Sequence, residues 1–283
     1  MQQKEMCKYY KCKCLQICHC KTYNNMNICS EPYHDTYELY YLISGEQYFF
    51  IKDRTYHIKS GDLVFVDVGV LHRIIPKKAP VENIKVNFTQ KFFNHFMEEI
   101  LAVPMPVPLD GYAKVIRFSD DNQIIVENIF RKIMKECGAK KRGHALYIKI
   151  LMIELFIFII RALEESPQPE LAHPSSMHGK IADITYYINE NYNKDISLIS
   201  LSKKFDISPY YLSRIFKEVT GFSYSEYLNT VRIKKAKQLL KETEFNISQI
   251  AKEIGYNNIN QFGRIFKNAT GLPPSHFRKL END

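Results

Sequence analysis

The sequence predicts an α+β protein: a β-rich N-terminal half of barrel or sandwich type, and an all-helical C-terminal part. Three observations support this. Short apolar runs alternate with turn signals from Leu15 to about Phe88, as expected of closely spaced strands. A helical pattern follows from Asn122 to Glu165. The C-terminal residues then contain an internal repeat, in which two helix–turn–helix units are joined by a long helix.

Length and charge fit this division. The 283 residues are enough for two domains at about 100–200 residues each. With 45% hydrophobic and 25% charged residues, the composition is that of an ordinary globular protein. Residues 179–283 carry 16 Lys and Arg against 11 Asp and Glu, whereas residues 1–178 carry 23 against 20. The higher density of positive charge in the C-terminal part suits a phosphate-binding face.

The pattern gives no sign of export or membrane insertion. The first 16 residues lack an apolar leader region. The most apolar stretch, Ile150–Ile160, has 11 residues and contains Glu154, whereas a bilayer span needs about 20 apolar residues. We therefore expect a cytoplasmic protein without a membrane partner, in which disulfides are not expected.

The N-terminal strands are marked by apolar runs and the turns between them. The runs are Tyr40–Ile43, Tyr48–Ile51 and Leu63–Val66, and turn signals stand at Ser44-Gly45, Lys52-Asp53 and Ser60-Gly61. Further along, Ala145–Leu163 is apolar on nearly every face and is predicted to be buried on several sides. Ser166–Met177 is rich in Pro and Ser and predicts a linker. The predicted boundaries are residues 1–110, 111–178 and 179–283.

The C-terminal repeat is in register over two copies. Leu198-x-x-Leu201-Ser202 matches Ile247-x-x-Ile250-Ala251 at an offset of 49 residues. Arg214–Lys217 matches Arg264–Lys267 at an offset of 50, so one residue has been gained in the turn. Such a long-range repeat indicates two copies of one structural unit.

Capping signals define the helices of each copy. Ser197 can cap a first helix, and Ser208 with Pro209 can begin a second, because Pro at the first helical position loses no hydrogen bond. Gly221 and Gly271 are predicted to end the second helix of each copy. Asn257 or Asn258 begins that helix in the second copy. The predicted buried stripes are Leu212, Ile215, Phe216 and Val219 in the first copy, and Phe262, Ile265 and Phe266 in the second.

A capping box, Ser223-x-x-Glu226, opens the helix between the copies. This helix is predicted to continue to about Lys241, which is about 27 Å at 1.5 Å per residue. One turn of DNA is about 34 Å. A rod of that length could set two recognition helices into successive major grooves.

The stretch from Ser208 to Arg278, with its closing Gly271-x-x-Pro274-x-x-Phe277-Arg278, resembles the DNA-binding domain of the AraC/XylS family. The resemblance implies a bacterial transcription regulator that is not an enzyme and binds double-stranded promoter DNA, with RNA polymerase as a further partner. It also implies base contacts from the N-terminal half of each recognition helix. Carried over by position, the predicted DNA-binding residues are Tyr210, Ser213, Arg214, Lys217, Asn260, Arg264 and Lys267.

The second recognition helix departs from the family pattern. Gly263 stands where the family usually has a polar side chain, and Ile259 cannot form a hydrogen bond with a base edge. We therefore expect this helix to contact phosphates more than bases. The alternative is that the basic side chains of both helices are only solvated surface charges.

His34-x3-Glu38-x6-Gly45 and Gly61-x5-Asp67-x-Gly69-x2-His72 resemble the two cupin motifs. The resemblance implies a cupin-like barrel with flanking helices, serving as the effector-sensing domain at residues 1–110. In metal-binding cupins, the positions of His34, Glu38 and His72 hold three of four ligands. The fourth position is Pro32 here, and Asp67 replaces the usual Pro.

Because the ligand set is incomplete, we predict a small-molecule effector without a metal or cofactor. A sugar or another hydroxylated molecule would suit the mixture of polar and aromatic side chains. The candidate effector-binding residues are His34, Tyr37, Glu38, Tyr40, His72 and Arg73, and Tyr33 is a further pocket residue. The alternative is a cupin-type metalloenzyme, since two His and one carboxylate suit Fe(II).

Six of the seven cysteines lie between Cys7 and Cys29. The spacing Cys18-x-Cys20 is unfavourable for zinc, which prefers Cys-x2–4-Cys. If these residues form a strand, Cys18 and Cys20 share one face and are packing residues. A thiol- or metal-sensing regulator remains the alternative. In the resembling family, helices after the barrel often pair two subunits, so residues 111–178 are expected to form a homodimer interface.

Overall fold

The computed structural model describes residues 6–12, 15–23, 34–94, 114–165 and 176–282. The chain divides into two compact units, Met1–Ala172 and His173–Asp283. The predicted boundary at residue 110 and most of the predicted linker lie outside the described residues. The three-part division therefore stays a prediction.

Within its described residues, the first unit contains one antiparallel sheet of seven strands in the order β1-β2-β6-β3-β5-β7, with β4 paired to β3. The strands are β1 (Met6–Lys11), β2 (Leu15–Thr22), β3 (Tyr37–Ile51), β4 (Arg54–Lys59), β5 (Asp62–Val66), β6 (His72–Phe88) and β7 (Lys114–Arg117). Strand β7 lies within the region predicted to be helical and linking.

Strand β3 is buried at Tyr37–Leu42 and Phe49–Ile51 because both of its faces pack on apolar side chains there, whereas Ser44 and Glu46 between these segments are exposed. Leu39 and Tyr41 join a core shared with two helices, whereas Tyr40 and Leu42 join a second core on the opposite face. This is the two-residue alternation of a strand covered on both sides, as in a barrel.

Gly45 has φ +100°, and a Cβ there would lie 2.9 Å from the Pro80 carbonyl oxygen. The strand therefore bends where only glycine fits.

Helices α1 (Asp120–Ala139) and α2 (His144–Glu165) cover the first of these cores. The prediction that Ala145–Leu163 is buried on several sides is only partly right. Its second half is mostly buried, but Leu146 and Ile150 are exposed to 65% and 51%, and Tyr147 is also exposed. These three side chains lie one helical turn apart at most, so they form one apolar stripe.

The second unit is entirely helical in its described residues. Its helices are α3 (Ser176–Asn191), α4 (Leu198–Phe205), α5 (Pro209–Thr220), α6 (Tyr224–Glu242), α7 (Ile247–Glu253), α8 (Ile259–Thr270) and α9 (Pro274–Asn282). The predicted start at Gly179 lies inside α3. The mixed α+β class is confirmed. Among the described helices, none combines the length and low polarity needed to cross a lipid bilayer.

The predicted caps define the repeat in the structure. The side chains of Ser197, Ser208 and Ser223 accept hydrogen bonds from backbone N–H groups in the first turns of α4, α5 and α6. Asn258, rather than Asn257, caps α8. Gly221 and Gly271 both have φ 76° at the ends of α5 and α8. The capping box at Asn246, which opens α7, was not predicted from the sequence.

Candidate nucleic-acid interface and ligand site

Helix α5 separates apolar and polar side chains cleanly. Leu212, Ile215, Phe216 and Val219 are buried, as predicted. The predicted DNA contacts are on the other side: Tyr210 is 82% exposed, and Ser213, Arg214 and Lys217 are exposed. The Arg214 guanidinium lies 5.3 Å from the centre of the Tyr211 ring, and this contact restricts its position.

Helix α8 repeats this arrangement. Phe262 and Phe266 are buried and Ile265 is partly buried, while Asn260, Arg264 and Lys267 are exposed. A Cβ at Gly263 would meet no atom within 4 Å outside the helix's own backbone, so this part of the helix surface is bare backbone. The structure thus presents the predicted DNA-binding residues of both helices on exposed faces. Gly263, where the sequence departs from the family pattern, lies in α8 between Asn260 and Arg264.

Arg232, in the middle of α6, holds the second unit together but was not singled out from the sequence. It is 8% exposed. Its Nε and one terminal nitrogen donate to the carbonyl oxygens of Tyr192 and Lys194 at 2.8 and 2.9 Å. Its guanidinium also lies 5.1 Å from the centre of the Tyr256 ring. The linking helix is therefore fastened to the chain after α3 and to the second helix–turn–helix unit.

Gly255 forms the turn between α7 and α8. Its φ is +87°, and a Cβ there would lie 2.7 Å from the Asn193 carbonyl oxygen and 2.8 Å from an Arg232 nitrogen. Asp206, with φ 52°, ends α4 in the first copy. Asp206 and Gly255 are 49 residues apart and both have a positive φ, so the two turns begin alike, and the extra residue of the second copy follows Gly255.

In the first unit, Glu38 is the centre of a buried polar cluster. Its carboxylate, 1% exposed, lies 2.9 Å from His34 Nε2, 3.1 Å from Lys85 Nζ and 3.2 Å from Asn87 Nδ2. His72 is wholly buried, and its Nε2 is 3.7 Å from Glu38 Oε1. The predicted trio of His34, Glu38 and His72 is therefore brought together.

Charges fix the protonation of this cluster. Burial acts to raise the pKa of the Glu38 carboxyl, but Lys85 and the hydrogen bond from His34 outweigh it and hold that pKa well below its usual range. Burial acts to lower the pKa of His34, yet the hydrogen bond and charge of Glu38 raise it. Burial lowers the pKa of His72. Glu38 is therefore ionised at neutral pH and His72 is neutral.

Two acceptor atoms in this cluster have no hydrogen-bond partner within the described ranges: Glu38 Oε1 and His72 Nε2. His72 Nδ1 donates to the Val70 carbonyl oxygen at 2.8 Å, so in the neutral ring the Nε2 atom carries a lone pair. A buried acceptor without a donor costs about 1–3 kcal/mol. A group that could satisfy both atoms is a hydrogen-bond donor or a cation.

The other candidate effector residues are divided between two faces of the sheet. Tyr40 lies on the Glu38 face, where its hydroxyl donates to Gln47. Tyr37 packs in the helix-covered core, with its ring centre 4.3 Å from that of Phe93. Arg73 follows His72 in β6 and so points to the opposite face. The expectation that all six side chains line one pocket is therefore corrected for Tyr37 and Arg73. Tyr33 and Pro32 lie outside the described residues.

The trio also fits a metal ion in part. One ligand atom from each of His34, Glu38 and His72 lies within 4.8 Å of the others. The two orphaned acceptors favour a cation, and two His with one carboxylate suit a divalent transition metal as a Lewis acid. Against this, the Lys85 ammonium lies 3.1 Å from Glu38 Oε2 and competes for the same carboxylate.

The cysteines of the β1–β2 hairpin depart from expectation. Cys7 and Cys20 are joined by a disulfide, so the expectation of no disulfides is wrong for this pair. That expectation rested on cellular location, whereas the strand register sets their Cα atoms 4.2 Å apart. Cys18 and Cys20 do share a face, with their Sγ atoms 3.1 Å apart. Cys14 and Cys29 lie outside the described residues.

The second unit contains two helix–turn–helix units whose recognition helices expose basic side chains. The first unit is rich in β-strands and contains a buried polar cluster. Together these features define a DNA-binding regulator with a ligand-binding domain. Comparisons with known proteins agree. A helix-turn-helix domain model matches residues 201–280, and an AraC-like ligand binding domain model matches residues 16–156.

Two relatives match most of the chain, and the solved structure of one domain matches a smaller part of it. The chain is 35% identical to the HTH-type transcriptional regulator YdiP of Escherichia coli over 251 aligned residues. This alignment covers 86% of this chain and 78% of YdiP. It is 24% identical over 256 residues to the regulator YfiF of Bacillus subtilis, covering 88% and 79%. The C-terminal domain of AraT, a response regulator from Geobacillus stearothermophilus, is 33% identical over 38% of this chain and 88% of that one, with a TM-score of 0.36. The chain belongs to the AraC/XylS family of transcription regulators.

Proposed function

We propose that this regulator recognises a specific promoter sequence by inserting α5 and α8 into the major groove. The observation that carries the proposal is the matched exposure of Arg214 and Arg264, each with a Lys one turn further on, opposite buried apolar stripes. Structural helices of a small domain do not need such a repeated basic face. Arg side chains can bind guanine through two hydrogen bonds, and Lys side chains can contact phosphates.

The two recognition helices contribute unequally in this proposal. Helix α5 offers Tyr210, Ser213 and Arg214 beside one another, so several groups can contact base edges. Helix α8 offers Asn260 and Arg264, separated by bare backbone at Gly263. Most base discrimination is therefore assigned to α5, and a larger share of phosphate contact to α8.

We further propose that an effector bound at Glu38 regulates DNA binding. Glu38 Oε1 and His72 Nε2 both need a donor, which a hydroxylated molecule such as a sugar supplies. A divalent cation is the second candidate for the same pair, since three ligand atoms converge there. Metal content of the purified protein, compared with that of Glu38→Gln, separates the two: a stoichiometric metal lost in the variant favours the cation.

We further propose that the protein forms a homodimer and binds promoter DNA in the cytoplasm. RNA polymerase is its proposed partner in activation. In this proposal the protein is a regulator rather than an enzyme. The apolar stripe of Leu146, Tyr147 and Ile150 on α2 supports dimer formation, because a second copy would cover it.

Selection of bound sequences from a random duplex pool tests the DNA-binding proposal. The full-length protein should enrich one sequence pattern with two parts about one helical turn apart. If the pool bound by the protein stays random in sequence while binding is tight, the sequence-specific function is wrong.

A further inference from the structure

Three cysteine side chains converge on one face of the β1–β2 hairpin. Cys7 lies directly opposite Cys20 in the strand register. Cys18 is two residues from Cys20 in β2, so both point to the same face. Their three Sγ atoms all lie within 4.8 Å of one another, and those of Cys18 and Cys20 are 3.1 Å apart.

We propose that Cys7, Cys18 and Cys20, when reduced, form a binding site for one thiophilic metal ion. Thiolates select soft or borderline ions such as zinc, cadmium or copper(I). Metal–sulfur bonds of about 2.3 Å place two coordinating sulfurs about 3.8–4.0 Å apart. That separation is available to the three sulfurs with small side-chain rotations, because they already lie within 4.8 Å.

The third ligand comes from the neighbouring strand. Cys18 and Cys20 alone have a spacing too short for a usual zinc pair. The hairpin register adds Cys7 from β1, and Cys20 itself is only 3% exposed. The cluster is therefore a partly buried site built by strand pairing rather than by a chelating loop.

The disulfide between Cys7 and Cys20 makes this site dependent on redox state. Metal binding requires that bond to be reduced: two molecules of a thiol such as glutathione supply two electrons and two protons and leave as one disulfide. The reduced cysteines then lose protons on binding the ion. In the oxidised form, only Cys18 of the three keeps a thiol, so the site is dismantled.

The three-cysteine site adjoins the polar cluster around Glu38 in the first unit. Cys18 is paired with Lys85 in the register of β2 and β6, so the two share a face of the sheet. Lys85 in turn contacts Glu38 at 3.1 Å. A metal–thiolate group beside Lys85 would change the charge next to the proposed effector site.

Cadmium titration of the full-length protein tests the proposal. The protein is reduced with a phosphine, freed of reductant without air, and titrated while the ultraviolet charge-transfer absorbance of cadmium–thiolate bonds is followed. We expect one equivalent to bind. Cys18→Ser should weaken binding at least tenfold, and Cys7→Ser, a change on the edge strand, should do the same.

Two control variants make the test specific. Cys137→Ser removes a thiol that lies 3.2 Å from Cys12, away from the hairpin face, and should bind as the wild type does. Leu280→Gln, an exposed change in the second unit, should also leave the absorbance unchanged, because it removes no sulfur. The oxidised protein should bind at least tenfold more weakly. The proposal is overturned if reduced wild type shows no thiolate band, if Cys18→Ser and Cys7→Ser both bind normally, or if oxidation has no effect.

Discussion

Arg214 and Arg264 hold matching positions in the two recognition helices, but their neighbours differ. Arg214 has Tyr210 and Ser213 beside it, so Arg214→Ala should flatten preference among base pairs in one half of the site. An Arg–guanine pair contributes about 1–3 kcal/mol of discrimination. Affinities for a panel of single-base operator variants measure this loss.

Arg264→Ala is the matched control for that measurement. It should reduce discrimination less than Arg214→Ala, because Gly263 and Ile259 leave fewer base-reading groups in α8. A greater loss of discrimination in Arg264→Ala would contradict the division of roles between the helices, although not the family assignment.

Glu38 provides the second prediction for a single residue. Glu38→Gln removes the charge that pairs with Lys85 and His34, so the response to the effector should be lost in a reporter assay. DNA binding without effector should persist, since Glu38 lies outside the helix–turn–helix units. Leu280→Gln, an exposed change in α9, should respond normally. A normal response in Glu38→Gln would show that this cluster does not bind the effector.

Among the elements, the turn of the second helix–turn–helix unit is tightly constrained. Gly255→Ala combines a positive φ with a Cβ 2.7 Å from the Asn193 carbonyl oxygen. We expect the free energy of unfolding of the second unit to fall by about 1–3 kcal/mol or more. Chemical denaturation followed by circular dichroism measures it.

Gly263→Ala is the control for this substitution, because a Cβ there meets no atom within 4 Å. It lies inside a helix, where Ala is favoured over Gly by about 1 kcal/mol. It should therefore be neutral or stabilising. Equal destabilisation by both substitutions would show that the turn at Gly255 is not special.

The elements also show what sequence could and could not predict. The caps of α4, α5 and α6 and the apolar stripes of α5 and α8 depend on local spacing, so the repeat revealed them. Arg232 could not be found this way, because its partners are backbone carbonyls at residues 192 and 194 that approach only in the folded unit. Nor could the sequence alone predict that Tyr37 and Glu38 point to opposite faces of the sheet, because this depends on a strand that is buried on both faces.

At the scale of the whole molecule, the exposed stripe on α2 predicts the oligomeric state. Leu146→Glu or Ile150→Glu places a charge where a second copy would pack, and should raise the dimer dissociation constant at least about tenfold. Light scattering over a range of concentrations measures it. Leu280→Glu, equally exposed but in the other unit, should not change it. Unchanged mass in both α2 variants would place the interface elsewhere.

The three-cysteine cluster likewise emerges only from the assembled sheet. The spacing of Cys18 and Cys20 along the chain is unfavourable for a zinc site, because both residues belong to one strand and only one residue separates them. The pairing of β1 with β2 adds Cys7, and that register could not be fixed from the sequence because the hairpin has few turn signals.

The central claim is that both helix–turn–helix units contact DNA at once. It is tested most directly by the salt dependence of affinity for a duplex from the region upstream of the protein's own gene. Removing the positive charge from one phosphate-binding side chain should lower the slope of log affinity against log salt by about one. Lys217→Ala and Lys267→Ala should each lower it by about one, and the double variant by about two. A slope that changes with only one of the two lysines would mean that a single unit binds DNA and would contradict the claim.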